Sequence, residues 1–309
     1  MSELLRDAGE RRLIELVSSY FDCEEEDCAV VEIQGAQILI SSDMLHQKTD
    51  FPAQMTPYQM GWSLVAVNLS DIAAMGAKPL YFLSALGLPS DFELESFKEL
   101  ISGIESCTSR FGVEVIGGDL DSHDEITLTG TVIGTPGDGK IVRRSGASIG
   151  DLVCVTGYLG SAGGGLRLLK EDENLDQTNP LVKALLEPFP RVEEGLILSN
   201  SGYVTSMTDI SDGLLVSLSD LSRASGISFK IDEEKIPVYS DDLLEFAWSA
   251  GGDYELLFTV RREKIDELEE LVDFTVIGSV VAKGAGDRLS PLGYDHFRGM
   301  RNSDFYASK

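Results

Sequence analysis

The sequence lacks the segments that carry a protein into or across a membrane. It contains no run of about 18 apolar residues, and its N-terminus, MSELLRDAGERR, has no apolar core of the kind found in secretory signals. We therefore expect a protein that has no membrane partner and stays in the cytoplasm.

Cysteine and histidine are also scarce. The four cysteines show no CxxC spacing and lie beside no pair of histidines, so neither a zinc site nor a disulfide framework is indicated. The three histidines lie outside any nucleophile-elbow motif, which argues against a Ser-His-Asp hydrolase. We expect Cys107 and Cys154 to be small core residues in a reducing compartment.

Basic residues are few. The chain has 25 Lys and Arg against 52 Asp and Glu, which gives a formal net charge of -27. Binding to the phosphates of a nucleic acid requires a basic surface, so we expect no nucleic-acid partner. A metal-binding group of carboxylates would account for part of this acidity, and the rest is expected on the surface.

The length and the hydrophobic pattern indicate two domains. A chain of 309 residues exceeds one ordinary hydrophobic core and suits two domains of about 150 residues each. Strand and helix patterns occur in both halves, and Thr, Pro and Gly break the pattern over residues 135–140. We predict an α/β (α+β) protein, with an N-terminal domain over residues 1–137 and a C-terminal α/β domain over residues 138–309.

One predicted helix is apolar on nearly every side but carries a carboxylate. Thr56 marks its start and Gly76 its end, so the sequence predicts a helix over residues 57–75. Asp71 lies in its second half, with no Lys or Arg in the two preceding turns. A buried carboxylate requires a partner, which is either backbone groups elsewhere in the fold or a divalent cation. Asn68, one turn earlier, adds an oxygen on the same face.

Other oxygen-bearing side chains occur where predicted strands begin or end, the usual positions for functional groups. None of these aspartates has a basic neighbour in the sequence, and the acidic run that leads to the first of them is expected to be a solvated loop. The residues are Asp27 before a strand; Ser41, Ser42 and Asp43 after a strand; Gly118 and Asp119 after another; and Asp209, Ser211 and Asp212 between a strand and a helix.

Converging carboxylates would repel one another unless hard cations kept them ionised. Magnesium prefers oxygen ligands and is often shared between carboxylates and the phosphates of a substrate. The pattern therefore indicates phosphoryl transfer without a covalent protein intermediate. Arg144, just after the predicted domain boundary, fits either a surface turn or an arginine presented to a phosphate.

Seven segments carry a resemblance to a known family. They are SSDML at 41–45, VNLSDIAAMGAKP at 67–79, IGGD at 116–119, RRSGA at 143–147, DISDGL at 209–214, DYELLF at 253–258 and GYDHF at 293–297. Their order resembles the thiamine-monophosphate kinase family, which belongs to the superfamily of aminoimidazole ribonucleotide synthetase and selenophosphate synthetase. The resemblance covers nearly the whole chain.

The resemblance implies a homodimer formed by the mixed N-terminal sheets, with ATP and several Mg²⁺ ions in a cleft near the interface. It implies transfer of the γ-phosphate of ATP to a small molecule, thiamine monophosphate, and it assigns no catalytic side chain. The implied metal ligands are Asp27, Ser41, Ser42, Asp43, Asp71, Asp119, Asp209 and Asp212. The implied nucleotide contacts are Gly118, Asp119, Arg144 and Ser211, and the implied substrate contacts are Asp50, Gly252 and Tyr294, the last as a platform for the thiamine ring.

Two of the substrate positions differ from the family pattern. Asp50 stands where the family typically has a histidine before an aromatic residue, and Gly252 replaces the glutamate of the usual GGEDYEL. These differences leave two alternatives to a thiamine-monophosphate kinase. One is a related ATP-dependent enzyme that acts on another small acceptor, and the other is a nucleotide-binding protein without catalysis.

Overall fold

The structure is a computed structural model that describes residues 4–21, 23–173 and 175–286. The first half contains two N-terminal helices and one sheet. In chain order its elements are α1 (Leu5–Ala8), α2 (Glu10–Phe21), β1 (Ala29–Ile33), β2 (Ala36–His46), α3 (Pro57–Ala74), β3 (Ala77–Leu88), α4 (Leu94–Arg110), β4 (Glu114–Ser122) and β5 (Thr127–Pro136).

The first sheet is mixed and has the strand order β1-β2-β5-β3-β4. Strands β3 and β4 are parallel, whereas the other neighbours are antiparallel. Helix α3 packs on β2, β5 and β3, and α4 packs on α3. Burial alternates along β5, so one face of the sheet lies under the helices and the other is more open.

The second half also contains one sheet. Its elements are β6 (Leu152–Val155), α5 (Ser161–Glu171), α6 (Pro180–Leu186), α7 (Val192–Ser201), β7 (Val204–Asp209), α8 (Leu214–Ser225), β8 (Ser228–Ile231), α9 (Leu244–Ser249), β9 (Leu256–Val260), α10 (Ile265–Glu269) and β10 (Thr275–Val281), with short 3-10 helices at Glu233–Lys235, Asp241–Leu243 and Arg262–Lys264. The strand order is β7-β9-β6-β10-β8, and all pairs are antiparallel. The predicted mixture of helices and strands is confirmed.

Helix α3 lies at the contact between the two halves. It packs on α4 and the first sheet, and also on α7 and β7 of the second half. A Cβ at Gly195 of α7 would lie 2.3 Å from the carbonyl oxygen of Ala73, so the two helices approach very closely. The indole Nε1 of Trp62 donates a hydrogen bond to the Pro188 carbonyl over 2.7 Å. Packing on both sides explains why this helix is apolar all round.

Strands β2 and β4 extend further than the sequence predicted. Ser41, Ser42 and Asp43 lie within β2, and Gly118 and Asp119 lie within β4, so these residues do not follow strand ends. The cause is pairing with distant strands. Strand β5 pairs with β2 as far as His46, and β3 pairs with β4 as far as Ser122, which keeps the polar segments extended.

The four cysteines are free, and Cys28, Cys107 and Cys154 are buried. Burial raises the pKa of the Cys107 and Cys154 thiols above their usual value, which is typical of core residues. Within the described part of the chain, no helix has the length and the apolar character needed to cross a membrane.

Candidate active site

Helix α3 carries Asp71 into the interior. The hydroxyl of Thr56 accepts a hydrogen bond from the Gln59 amide over 3.3 Å, and the Gln59 side chain accepts one from the Thr56 amide over 3.0 Å. The chain turns at Gly76, whose φ is +63° and where a Cβ would lie 2.3 Å from the Cβ of Ser199. The capping signals in the sequence are therefore present, and they fix the position of Asp71.

Three carboxylates meet beside this helix. Carboxylate oxygens of Asp27, Asp71 and Asp209 all lie within 4.8 Å of one another, and we call these three residues the acidic cluster. Asp27 precedes β1, Asp71 lies in α3, and Asp209 is the last residue of β7. Both halves of the chain therefore contribute to the cluster.

Each carboxylate of the acidic cluster accepts a hydrogen bond from a hydroxyl group. The donors are Ser41 to Asp71, Ser70 to Asp209 over 2.5 Å and Thr208 to Asp27 over 2.9 Å. A neutral hydroxyl orients a carboxylate but does not cancel its charge. Ser70 and Thr208 were not predicted from the sequence, although each directly precedes an aspartate that was.

Burial and repulsion between the aspartates raise the pKa of the buried carboxyl groups. The pKa of Asp71 lies well above its usual value, first because of burial and then because of the charges on Asp43, Asp209 and Asp27. Burial, followed by the charge on Asp27, raises the pKa of Asp209 to about 7. Asp27 Oδ2 is buried and has no hydrogen-bond partner among the described residues. Closely spaced carboxylates with an unpartnered oxygen fit a hard divalent cation such as Mg²⁺.

Arg144 is a positive partner of the acidic cluster. Its Nη2 lies 2.5 Å from Asp27 Oδ1 and its Nη1 lies 3.7 Å from Asp220 Oδ2. Burial alone would lower the pKa of Arg144, but the two carboxylates raise it above its ordinary value. Asp27 has no basic neighbour in the sequence, and its cationic partner comes from a distant part of the chain. Arg144 and Asp27 are 117 positions apart in the chain, so no local pattern indicates the pair.

The acidic run before Asp27 is bound to arginines of the second half. The pairs are Glu24 with Arg143 at 2.6 Å, Glu25 with Arg223 at 2.8 Å, and the Glu26 carboxylate with the Arg144 amide at 2.9 Å. The segment is a loop in which Glu24 and Glu25 are exposed, as predicted, and its ion pairs with the second half are an additional feature that the sequence did not indicate. The segment holds Asp27 against the second half of the chain.

Alternation along β2 sends its polar side chains to opposite faces of the sheet. Asp43 pairs with Gly130 on the face covered by α3, and Ser41 shares that face. Ser42 lies on the other face, where its hydroxyl is 2.8 Å from the Gly130 carbonyl and 2.9 Å from Thr131 Oγ1. The structure therefore brings Ser41 and Asp43 to the acidic cluster but not the Ser42 hydroxyl.

Gly118 and Asp119 lie away from the acidic cluster of their own chain. Asp43, Gly130, Ser84 and Gly118 are paired in succession across strands β2, β5, β3 and β4. Three strand spacings therefore separate Gly118 from Asp43, a distance of about 14 Å. Asp119 pairs with Ala85 and faces the open side of the sheet by alternation. A Cβ at Gly118 would lie 1.8 Å from the Ser84 carbonyl oxygen, so this glycine permits close strand pairing. Within one chain, neither residue joins the other predicted ligands.

A cavity of about 270 Å³ opens beside the acidic cluster. It has a carboxylate part and an apolar part, and both halves of the chain line it. The lining residues that the sequence predicted are Asp43, Asp50, Asp71, Asp209, Ser211, Asp212 and Gly252, and the apolar part includes Met55, Val67, Leu185 and Pro188. Lysine, arginine and histidine are absent from the lining in the described part of the chain.

The cavity includes two of the three predicted substrate residues. The Asp50 carboxylate accepts hydrogen bonds from the His46 amide and the Thr49 hydroxyl, each over 2.7 Å. Gly252 has φ +97°, a conformation that favours glycine over the glutamate typical of the family. Tyr294 lies outside the described residues.

Tyr254 is a cavity residue that the sequence analysis missed. It belongs to the DYELLF segment, but nothing in that segment shows that the tyrosine faces the cavity. Its backbone amide donates a hydrogen bond to the Ile210 carbonyl over 3.0 Å, which places it beside Ser211 and Asp212. The backbone at Tyr254 has a positive φ of +52°, which changes the direction of the chain just before β9. No sequence pattern predicts such an angle for a non-glycine residue.

Two domain families match the chain. AIR synthase related protein, N-terminal domain, matches residues 25–135, and AIR synthase related protein, C-terminal domain, matches residues 148–288. Together with the two sheets and the acidic cluster between them, these matches define a two-domain protein of the AIR synthase-related class.

Individual relatives narrow this class. Thiamine-monophosphate kinase of Methanospirillum hungatei is 40% identical over 277 residues, which are 88% of this chain and 92% of the relative. The corresponding kinase of Archaeoglobus fulgidus is 37% identical over 261 residues, 82% of this chain and 86% of the relative. The structure of AaThiL complexed with AMPPCP and TMP matches with a TM-score of 0.87 and 28% identity, covering 96% of this chain and 99% of the other. The chain belongs to the thiamine-monophosphate kinase family.

Proposed function

We propose that this chain catalyses the ATP-dependent phosphorylation of thiamine monophosphate to thiamine diphosphate. The observation that carries the proposal is the cavity that joins the acidic cluster to an apolar pocket. Family membership supports it, because the relatives are thiamine-monophosphate kinases and a matching structure holds AMPPCP, an ATP analogue, together with TMP.

We propose that the carboxylate part of the site binds several Mg²⁺ ions. The unpartnered Oδ2 of Asp27 and the close spacing of the acidic cluster support this assignment. Bound Mg²⁺ would neutralise charge on the transferring phosphoryl group. We propose six ligands because they belong to the acidic cluster, bond to it or line the cavity: Asp27, Ser41, Asp43, Asp71, Asp209 and Asp212.

The residues of the chain supply positioning rather than acid–base chemistry. The nucleophile is a phosphate oxygen of thiamine monophosphate, which is already anionic, so no general base is required. Hydroxyls of Ser41, Ser70 and Thr208 hold the carboxylates in place. We propose Arg144 and Ser211 as contacts to the nucleotide phosphates, with Arg144 supplying positive charge beside the acidic cluster.

We propose that the acceptor lies in the rest of the cavity. Met55, Val67, Leu185 and Pro188 offer an apolar surface for its rings, and Asp50 offers a carboxylate for its polar groups. Gly252 presents no side chain where the family has a glutamate, which is expected to raise KM more than it lowers kcat. Tyr294 remains the proposed platform for the thiamine ring.

We propose a homodimer formed through the open face of the first sheet. That face exposes large apolar side chains, namely Ile33, Met44 and Tyr81. Ser42 and Asp119 lie on the same open face, away from the acidic cluster of their own chain. In a dimer, Asp119 and Gly118 would contribute to a nucleotide site shared with the partner subunit.

The domain boundary and the cellular location complete the proposal. We propose a domain boundary after residue 137, since the strands of the first sheet end at Pro136 and those of the second begin at Leu152. We place the activity in the cytoplasm, where ATP and Mg²⁺ are abundant and free cysteines remain reduced.

The decisive assay measures thiamine diphosphate formed from ATP, Mg²⁺ and thiamine monophosphate, with unphosphorylated thiamine as the control acceptor. We expect product with thiamine monophosphate and none with thiamine, which lacks the nucleophilic phosphate. Normal ATP binding without product at millimolar thiamine monophosphate would contradict the proposal. It would favour a related enzyme with another small acceptor, an alternative that the missing side chain at Gly252 supports.

A further inference from the structure

Tyr254 has an unusual backbone conformation. Its φ is +52°, in the left-handed region that side-chain-bearing residues adopt only at an energetic cost. Gln34 is the only other non-glycine residue with positive φ in the described part of the chain, and it lies in the tight turn between β1 and β2. Tyr254 does not lie in a turn of this kind, because it lies two residues before the start of strand β9 at Leu256. The surrounding structure must hold it in place.

The residues on either side of Tyr254 are firmly anchored. The Asp253 carboxylate accepts backbone hydrogen bonds from Gly160, over 2.6 Å, and from Ala162, over 3.0 Å. The Glu255 carboxylate accepts two hydrogen bonds from the Arg191 guanidinium, one from Nε over 2.7 Å and one from Nη2 over 2.6 Å. The two acids bind within the second half of the chain, whereas Tyr254 between them lines the cavity.

The phenol of Tyr254 lies among carboxylates. Burial raises its pKa well above the usual value, and the charges on Asp43, Asp209, Asp212 and Asp50 raise it further, in that order. A tyrosine phenol carries its proton at neutral pH, so it can act as a hydrogen-bond donor in the cavity. Because it is close to both Asp50 and Asp209, it lies where the substrate part of the cavity meets the acidic cluster.

The other hydroxyls of the cavity wall have partners. Thr49 donates to Asp50 over 2.7 Å, Ser63 to the Leu186 carbonyl over 3.3 Å, and Ser211 lies 3.5 Å from an Asp212 oxygen. The Tyr254 hydroxyl has no hydrogen-bond partner within residues 4–21, 23–173 and 175–286. No cationic side chain lines the cavity in the same ranges. Among the described residues, the Tyr254 hydroxyl is therefore a side-chain donor that is free to bond a phosphate in this cavity.

We propose that the Tyr254 hydroxyl donates a hydrogen bond to the phosphate of thiamine monophosphate and so positions the nucleophilic oxygen beside the acidic cluster. The proposal rests on the proposed function and adds a substrate-binding residue to it. A neutral donor suits this place, because it binds an anionic phosphate without forming an ion pair with the neighbouring aspartates, which are needed for the cation.

The test is Tyr254→Phe, which removes the hydroxyl and keeps the ring. Calorimetry would measure Kd for thiamine monophosphate and for thiamine, each with AMPPCP and Mg²⁺ present so that no turnover occurs. We expect Kd for thiamine monophosphate to rise about 10-fold, as for loss of a hydrogen bond to a charged group. Kd for thiamine, which lacks the phosphate, and Kd for AMPPCP should change by less than about 2-fold on the same grounds.

The matched control is Tyr239→Phe, an exposed tyrosine that stacks on Tyr158. It should leave all three dissociation constants unchanged. An equal loss of affinity for thiamine and thiamine monophosphate in Tyr254→Phe would show a structural role and overturn the inference. Unchanged affinity for thiamine monophosphate would overturn it as well. If the parent protein itself binds no thiamine monophosphate, the proposed function fails, and this inference fails with it.

Discussion

Arg144 and Asp27 form a buried ion pair that joins the two halves of the chain, with 2.5 Å between Nη2 and Oδ1. Among the described residues, Oδ2 of the same carboxylate is buried without a hydrogen-bond partner, and so is Nε of the same guanidinium. A cation that binds Asp27 would compete with Arg144 for this carboxylate. We expect metal binding to weaken the pair and to make the guanidinium available to an anionic phosphate.

The first prediction concerns Arg144→Gln. Removing one partner from a buried pair leaves Asp27 without its cation, so the metal-free variant should lose about 3–5 kcal/mol of unfolding free energy. Mg²⁺ should restore more stability to this variant than to the parent, because the ion replaces the lost charge. Thermal melts in EDTA and in Mg²⁺ would measure both effects.

Arg167→Gln, which breaks an exposed pair with Asp242, is the control and should cost less than about 1 kcal/mol of unfolding free energy. Equal Mg²⁺ stabilisation of both variants would contradict the prediction.

The second prediction concerns Asp71→Asn. The substitution removes a buried carboxyl group whose ionised form is disfavoured by burial and by the neighbouring aspartates, so the metal-free protein should melt at the same temperature or higher. Activity should fall at least about 100-fold, since a proposed metal ligand is lost. Asp273→Asn, at an exposed position, should leave both quantities unchanged. Loss of folding with unchanged Mg²⁺ affinity in the remaining folded protein would identify Asp71 as a structural residue.

The third prediction concerns pH. The pKa of Asp209 is about 7 in the folded protein against 3.8 for an ordinary aspartate, so between these values the unfolded chain is ionised while the folded one keeps its proton. Raising the pH through this range therefore lowers the unfolding free energy, and the full penalty is present above pH 7. In EDTA we expect the melting temperature to be at least about 5 °C lower at pH 8 than at pH 5.

Mg²⁺ should reduce this pH dependence because it stabilises the ionised acidic cluster. The effect should not disappear completely, since burial also raises the pKa of Asp253 to about 7, and Asp253 lies outside the cluster. A pH dependence that is the same in EDTA and in Mg²⁺ would contradict the proposed metal site.

The fourth prediction concerns the proposed dimer. Tyr81→Arg places a charge on the open face of the first sheet, and it should convert a dimer to a monomer in sedimentation at micromolar concentration. Activity should fall with it, because Asp119 would no longer reach the site of the partner subunit. Leu271→Arg, on an exposed position of the second half, should remain dimeric. A parent protein that sediments as a monomer would refute the dimer directly.

The ends of α3 were predictable because the signals that set them are local. Thr56 bonds to Gln59 three residues away, and Gly76 supplies the left-handed turn where the helix stops. The lengths of β2 and β4 were not predictable in this way. The length of a strand depends on how far it pairs with its neighbouring strand. The residue paired with Asp43 is Gly130, which is distant in the sequence.

The members of the acidic cluster were predicted, but their environment was not. Asp71 follows Ser70, Asp209 follows Thr208, and Asp27 opens a strand, and these features mark the three residues in the sequence. The ion pair with Arg144 depends on the packing of one half against the other, and no local pattern reports that contact. Tyr254 was missed because its orientation follows from a backbone angle that is rare for tyrosine.

The acidic cluster takes two of its carboxylates from the first half of the chain and one from the second. Any ion held there would act as a cross-link between the halves as well as a participant in the chemistry. Chains cut in the loop between β5 and β6 would then reassemble more tightly when magnesium is present than when it is chelated. The strength of reassembly of two such fragments would report ion occupancy without any substrate.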